Sequence, residues 1–299
     1  MSTPVHILYH AHCADGFGAA LVAWMVFGDS AHFHAVQYGD PLPEIEDGAR
    51  VFIVDFSYPR PVLDALAARM TLTVLDHHKT AAEALAGFRH GFFDLTKSGA
   101  VLAWEHFRNH WPEVIFGPVP KLLLYVQDRD LWQWELPDSR AVNAGLYARP
   151  RTFVEWLTLI GYGTGGIAQL RVEGEIVLRV SAQMVESIVK RARWELWTGD
   201  DGGAIGIPVV NTPVLQSETC HRLLELHPEA PWCAAYFDQP GLDDPGSIER
   251  VWSLRSRGTV DVSAIAKRHG GGGHHNAAGY TELLFPEANN ESLSEGVPA

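Results

Sequence analysis

Short apolar runs alternate with longer stretches of helical periodicity through the first half of the chain. Residues 5–9 (VHILY) predict a buried strand, and 15–27 (DGFGAALVAWMVF) predict a helix closing at Gly28. Residues 33–38, 51–55 (VFIVD) and 71–75 (TLTVL) predict further strands, with helices over 60–69 and 80–87. Strand, helix, strand at this spacing implies right-handed crossovers and a parallel sheet. Two more helical patterns follow, near 98–109 and 119–128. Residues 167–197 lack strong turn signals and read as one long helical connector, with Gly174 its weak point. Beyond it the texture changes. Residues 204–210, 231–237 and 249–255 predict strands, and 216–226 a helix. The expected architecture is α/β: a parallel-sheet N-terminal domain over 1–165, a helical linker over 166–200, and a smaller α/β C-terminal domain over 201–285. Residues 286–299 are polar and poor in aliphatics, and are expected to be disordered.

Composition narrows the partners. The 299 residues include 23 Lys plus Arg against 36 Asp plus Glu, a formal charge of −13. That argues against a basic sheath for long duplex nucleic acid, where phosphate neutralisation dominates. It leaves room for a small phosphorylated ligand, because bound cations can supply positive charge locally. The three cysteines, Cys13, Cys220 and Cys233, form no paired pattern and fit a reducing compartment. No basic leader and no apolar run near 18 residues is present, so the expectation is a cytoplasmic protein without a membrane span.

Histidine, at 15 copies, is in excess, and it falls with aspartate at predicted strand ends. His10, His12, Asp15, Asp55, Asp76, His77, His78, Asp128 and Asp130 all lie where ligands bind in open parallel sheets. Mixed carboxylate and imidazole donors suit Mn²⁺, Mg²⁺ or Fe²⁺. A carboxylate such as Asp55, ending a central strand, can bridge two ions that clamp a phosphate ester. Singly, each of these aspartates is more often a helix cap or turn residue. Jointly, three adjacent polar groups after an apolar strand (Asp76-His77-His78) are costly without a partner. Near the C-terminus, Gly270 to Gly273 allow close backbone approach, so consecutive N–H groups can face an anion, with His274 and Arg255 beside them.

These residues also carry a family resemblance. The sequence resembles the DHH-family phosphoesterases through Leu75-Asp76-His77-His78-Lys79. It also matches their opening motif at His10 to Gly18, their second at Val54-Asp55-Phe56 and their fourth at Asp128 to Trp132. Gly271-Gly272-Gly273-His274-His275-Asn276-Ala277-Ala278-Gly279 is similar to the glycine-rich motif of the C-terminal domain associated with that family. The resemblance implies that Asp15, Asp55, His77 and Asp128 hold one metal and that Asp55 bridges to a second, completed by His10 and Cys13. Asp76 would orient His77 or itself approach the metals, and His78 would touch the scissile phosphate. Arg255, Gly271, Gly272, Gly273 and His274 would bind substrate. The family usually has Asp where this chain has Cys13, so either Cys13 ligates, or His12 substitutes, or the second site is weak and loads only with substrate; the plain alternative is that the sulfur only packs. Asp130 is the alternative to Asp128.

What the resemblance implies is hydrolysis of phosphoester bonds in small nucleotides or short oligonucleotides. One or two Mn²⁺ per chain, or Mg²⁺, would activate water in a cleft between two domains. The alternatives are a nucleotide-sensing protein with weak catalysis, and a phosphomonoesterase or pyrophosphatase-like enzyme. Whether the chain forms a dimer is left open.

Overall fold

The computed structural model describes residues 3–198, 203–241 and 247–284. They fall into two compact units, one running to Met184 and the other starting at Val185. The expected disordered tail at 286–299 lies outside the described residues, as does the expected boundary at 200 and 201.

The first unit is a parallel sheet of five strands: β1 (Val5–His10), β2 (Ala31–Val36), β3 (Arg50–Val54), β4 (Thr71–Asp76) and β5 (Gly91–Phe93). Their order is β2-β1-β3-β4-β5, and every pair is parallel. Alternate residues of the central strands go to opposite faces, and both faces are buried. Ile7, Phe52, Val54 and Leu75 join one core, and Leu8, Val51, Ile53 and Val74 join the other. Burial on both faces is why these strands read as continuous apolar runs rather than alternating ones. The first core is closed by α1 (Ala14–Phe27), α4 (Gly99–His110), α5 (Lys121–Asp130) and α7 (Phe153–Gly161). The second is closed by α2 (Arg60–Ala67), through Leu63 and Leu66. Between them in the chain run α3 (Lys79–Ala84) and α6 (Ser139–Tyr147).

The long helix, α8, spans Thr164–Val189. It does not reach 197: Arg193–Thr198 is a strand, β6. The sequence Arg193-Trp194-Glu195-Leu196-Trp197 alternates polar and apolar with period two, a strand signal that outweighs the absence of a turn residue before it. Gly174 is no weak point. A Cβ there would lie 1.7 Å from the Ala141 carbonyl oxygen, and one at Gly145 would lie 2.1 Å from that of Leu170. The two glycines let α6 and α8 cross with their backbones almost touching.

The second unit is a six-stranded mixed sheet of order β10-β11-β9-β8-β7-β6. Its strands after β6 are β7 (Ala204–Asn211), β8 (Trp232–Pro240), β9 (Ile248–Ser256), β10 (Gly272–His274) and β11 (Ala277–Leu284). Only β7 and β8 pair in parallel, joined by α9 (Gln216–Leu226). α10 (Val262–Arg268) packs Val262 and Ala266 on one sheet face, and α9 packs Cys220, Leu223 and Leu224 on the other. No helix among the described residues is long and apolar enough to cross a membrane.

Candidate metal centre

The strand order reverses direction between β1 and β3, and the polar residues gather at the carboxyl ends there. His10 ends β1, Asp15 lies in the first turn of α1, Asp55 follows β3, and Asp76 ends β4 with His77 and His78 directly after. Asp15, Asp55, Asp76 and His77 are each at most 1% exposed.

His77 is the hub. Its Nε2 lies 3.0 Å from Asp55 Oδ1, 3.4 Å from Asp130 Oδ2 and 3.5 Å from Asp15 Oδ2. Burial disfavours charge on His77, but the surrounding carboxylates of Asp130, Asp55 and Asp15 outweigh it and raise its pKa to about 10. Burial and the neighbouring Asp55 and Asp130 carboxylates push Asp15 well above the usual carboxylate range. The same crowding, after burial, raises the Cys13 thiol. Asp55 goes the other way. Burial opposes its ionisation, but His10 and His77 outweigh that and hold it well below the ordinary value.

Asp55 belongs to two potential ligand groups. Asp15, Asp55 and His77 form one; His10, Asp55 and His78 form the other. In each group one nitrogen or oxygen per residue lies within 4.8 Å of the others. His10 Nδ1 sits 3.6 Å from Asp55 Oδ2, too far for a good hydrogen bond. His10 Nδ1, Asp55 Oδ2 and Asp130 Oδ2 are all buried without a hydrogen-bond partner among the described residues. Buried carboxylates in this number, with open lone pairs, need more positive charge than one imidazolium proton provides. The donor set therefore fits a divalent cation, and its oxygen-rich character fits a hard one.

The neighbours hold this cluster rigidly. Asp15 accepts from the backbone amides of Gly99 at 2.5 Å and Ala100 at 2.9 Å, so the start of α4 anchors it. Asp55 sits at φ 56°, a left-handed conformation that a non-glycine residue adopts only under constraint. A Cβ on Gly16 would lie 2.3 Å from the His10 carbonyl oxygen, so only glycine lets α1 begin this close to β1.

Several expected roles change. Asp128 does not face the cluster. Its carboxylate accepts from the amides of Glu135 at 2.8 Å and Leu136 at 3.3 Å, closing the loop after α5. The aspartate that meets His77 is Asp130, the last residue of α5. Asp76 Oδ1 lies 2.7 Å from His78 Nδ1 and accepts the backbone N–H of His77 at 2.7 Å. Burial opposes ionising Asp76, but His78 and the hydroxyl of Ser57, 2.5 Å away, hold it below the usual range. Cys13 is the N-cap of α1, and its sulfur accepts from the Asp15 amide at 3.3 Å. His12 is exposed at φ 56°. Neither belongs to the two groups centred on Asp55.

In the second unit, Ala277 of β11 is paired with His274 on one side and Arg255 on the other, so these two side chains share a sheet face. Arg255 donates to Ser217 Oγ at 2.8 Å and to the Leu254 carbonyl. The glycines are part of a hairpin, with Gly272 opposite Gly279 and Gly273 opposite Ala278. Cβ atoms at Gly271 and Gly273 would lie 2.1 Å from Gly279 O and 2.6 Å from Ala277 O, so backbone packing already demands glycine there.

Sequence reasoning missed Gly99, Ser57 and Tyr38. A Cβ on Gly99 would lie 2.5 Å from Asp55 Cβ. The exposed Tyr38 ring stands 5.6 Å from that of His10 and 6.1 Å from that of His78. None carries a residue type that signals a site; only proximity in the fold reveals them.

The two aspartates of α5 give a direct comparison. Asp130→Asn is expected to weaken divalent-ion binding at least tenfold and leave the melting transition intact. Asp128→Asn is expected to cost about 1–2 kcal/mol of stability, from weakened hydrogen bonds to the loop, with metal stoichiometry unchanged. Titration with Mn²⁺ and urea unfolding of both variants check this.

No family model matches this chain. It is 30% identical over 293 residues to the uncharacterized protein R106 of Acanthamoeba polyphaga mimivirus, covering 91% of this chain and 66% of that protein. The chain thus spans just under two thirds of this relative's length. Among solved structures it is similar to an uncharacterized protein from Helicobacter pylori G27, at 15% identity and TM-score 0.45, over 94% of both chains. It is also similar to PggH, a pGpG-specific phosphodiesterase from Vibrio cholerae, at 14% identity and TM-score 0.42, again over 94% of both.

Proposed function

We propose that this protein is a divalent-metal-dependent phosphoesterase of the DHH type, acting on phosphodiester bonds of small nucleotides or short oligonucleotides. The observation that carries the reading is Asp55: one buried, ionised carboxylate shared by two ligand groups at the reversal of a parallel sheet. Asp15, Asp55, His77 and Asp130 would hold one ion. His10, Asp55 and His78 would hold the other. Such ions supply Lewis acidity toward phosphate oxygens and lower the pKa of bound water. The chain's own residues set the geometry. Asp76 takes the Nδ1 side of His78 and so orients its ring. The start of α4 fixes Asp15, and the left-handed turn fixes Asp55. The net charge of −13 favours a short anionic substrate over long nucleic acid. Arg255 and His274, on the same face of the second sheet with Ala277 between them, are the proposed contacts to the nucleotide.

The test uses the purified full chain with Mn²⁺ and a panel of dinucleotides, cyclic nucleotides, adenosine bisphosphate and pyrophosphate. Diester turnover that chelation abolishes and Mn²⁺ restores is expected. Nucleotide binding without any turnover would overturn the enzymatic reading, and turnover of pyrophosphate or monoesters alone would overturn the diester assignment. His274→Ala and Arg255→Ala are each expected to lower kcat/KM for nucleotides about tenfold or more, with metal content unchanged. Normal turnover in both variants would reduce the glycine-rich hairpin to a structural element.

A further inference from the structure

A second cluster of metal-ligating side chains lies at the opposite end of β1 from His10. His6 pairs with His32 of the edge strand β2, and His34 follows two residues later on the same face. His6 is 4% exposed, His34 is partly buried and His32 is exposed. His6 Nδ1 lies 3.0 Å from His34 Nε2, and His6 Nε2 lies 2.9 Å from Glu46 Oε2. The His32 ring is 4.9 Å from that of His6, and the His34 ring stacks on His6 at 5.3 Å. Four residues separate His6 from His10, about 13 Å at roughly 3.3 Å per residue. The cluster is therefore distinct from the carboxylate centre.

An ionised Glu46 can only accept, so it fixes the proton of His6 on Nε2 and leaves Nδ1 as a lone pair aimed at His34. In the metal-free protein His34 Nε2–H donates to that lone pair at 3.0 Å; tetrahedral ligands about 2.1 Å from one ion stand about 3.4 Å apart, so an ion that replaces this proton needs the two nitrogens to part by only a few tenths of an ångström. A carboxylate behind a ligating imidazole is the usual way such a ring is oriented and made more basic. His32 stands opposite His6 in the β1–β2 register, with its ring 4.9 Å away, and is the third donor this strand pair offers. We propose that His6, His32 and His34, with Glu46 behind His6, form a binding site for a Zn²⁺ ion. Three nitrogen donors favour Zn²⁺ over the Mn²⁺ or Mg²⁺ that suit the carboxylate centre. The ion would clip β2, the edge strand of this sheet among the described residues, to β1.

The experiment is titration of the metal-free full chain with Zn²⁺ against a chromogenic competitor, for wild type, H32Q/H34Q and E46Q. Wild type is expected to bind one more Zn²⁺ than H32Q/H34Q, and E46Q to bind that ion ten- to a hundredfold more weakly. In Asp55→Asn, which removes the shared carboxylate of the other centre, the extra Zn²⁺ is expected to persist. Equal stoichiometry and affinity in wild type and H32Q/H34Q would overturn the site, leaving the three rings as a hydrogen-bonded staple. Should H32Q/H34Q fail to fold, E46Q decides on its own, because its side chain is exposed and unchanged Zn²⁺ affinity there would equally overturn the proposal.

Discussion

Asp55→Ala is expected to lose at least about a thousandfold in metal-dependent hydrolysis, roughly 4 kcal/mol of transition-state stabilisation. A terminal ligand serves one ion, whereas Asp55 lies in both ligand groups, so its removal disables both. The substitution also takes away the acceptor nearest His77 and the carboxylate facing His10. Folding should survive. The metal-free cluster is a concentration of buried negative charge, although alanine keeps the left-handed backbone at position 55 without relieving it. Removing one charge relieves repulsion on Asp15 and Asp130, both pushed upward in part by Asp55. That relief is offset by the loss of the nearest carboxylate to His77, so the metal-free variant is expected to fold cooperatively but melt somewhat below the wild-type temperature. Wild type, by contrast, should gain stability from added Mn²⁺ that the variant does not, because an ion bound only by the folded state adds to its stability. Paired melts with and without Mn²⁺, alongside turnover, check both halves. Retention of more than about a tenth of wild-type activity would exclude the bridging role.

The parallel sheet was legible because burial on both faces writes unbroken apolar runs, and the crossover helices write a different period between them. Site location was legible for the same reason: polar residues at the ends of such runs stand out. The individual assignments were harder, because spacing places a residue on an element without saying what its side chain meets. Asp128 and Asp130 are two residues apart on one helix end, and both look like ligands in the sequence. What separates them is the loop after α5, which turns back so that the amides of Glu135 and Leu136 occupy Asp128. That return depends on left-handed backbone at Trp132 and Trp134, at φ 57° and 58°, which tryptophan does not signal. Cys13 shows the same limit. Its place before α1 makes it both a potential ligand and a helix cap, and only the fold shows its sulfur against the Asp15 amide. In the second unit, β6 was hidden in an apparent helix because no glycine or proline stands between Val189 and Arg193.

Gly99→Ala is expected to be the most damaging substitution outside the ligands themselves. Gly99 is the first residue of α4, behind the Ser98 cap, where alanine ordinarily stabilises a helix by up to about 1 kcal/mol. Here the sign should reverse. The added methyl would lie 2.5 Å from Asp55 Cβ and 2.8 Å from its Cγ and Oδ1. Asp55 is fully buried and held in one backbone conformation, so it has little room to yield. Overpacking of this kind costs about 1–3 kcal/mol. The functional loss should exceed the structural one, because the group displaced is the shared carboxylate and the amide displaced with Gly99 is the one that anchors Asp15. Turnover is expected to fall at least about a hundredfold, with Mn²⁺ binding weakened in parallel. Gly165→Ala is the matched control: it lies in the first turn of α8, and a Cβ there meets nothing within 4 Å. That variant should be as active as wild type and no less stable in urea. If Gly99→Ala unfolds at the same urea concentration as Gly165→Ala and keeps full activity, the start of α4 has no part in positioning the carboxylates.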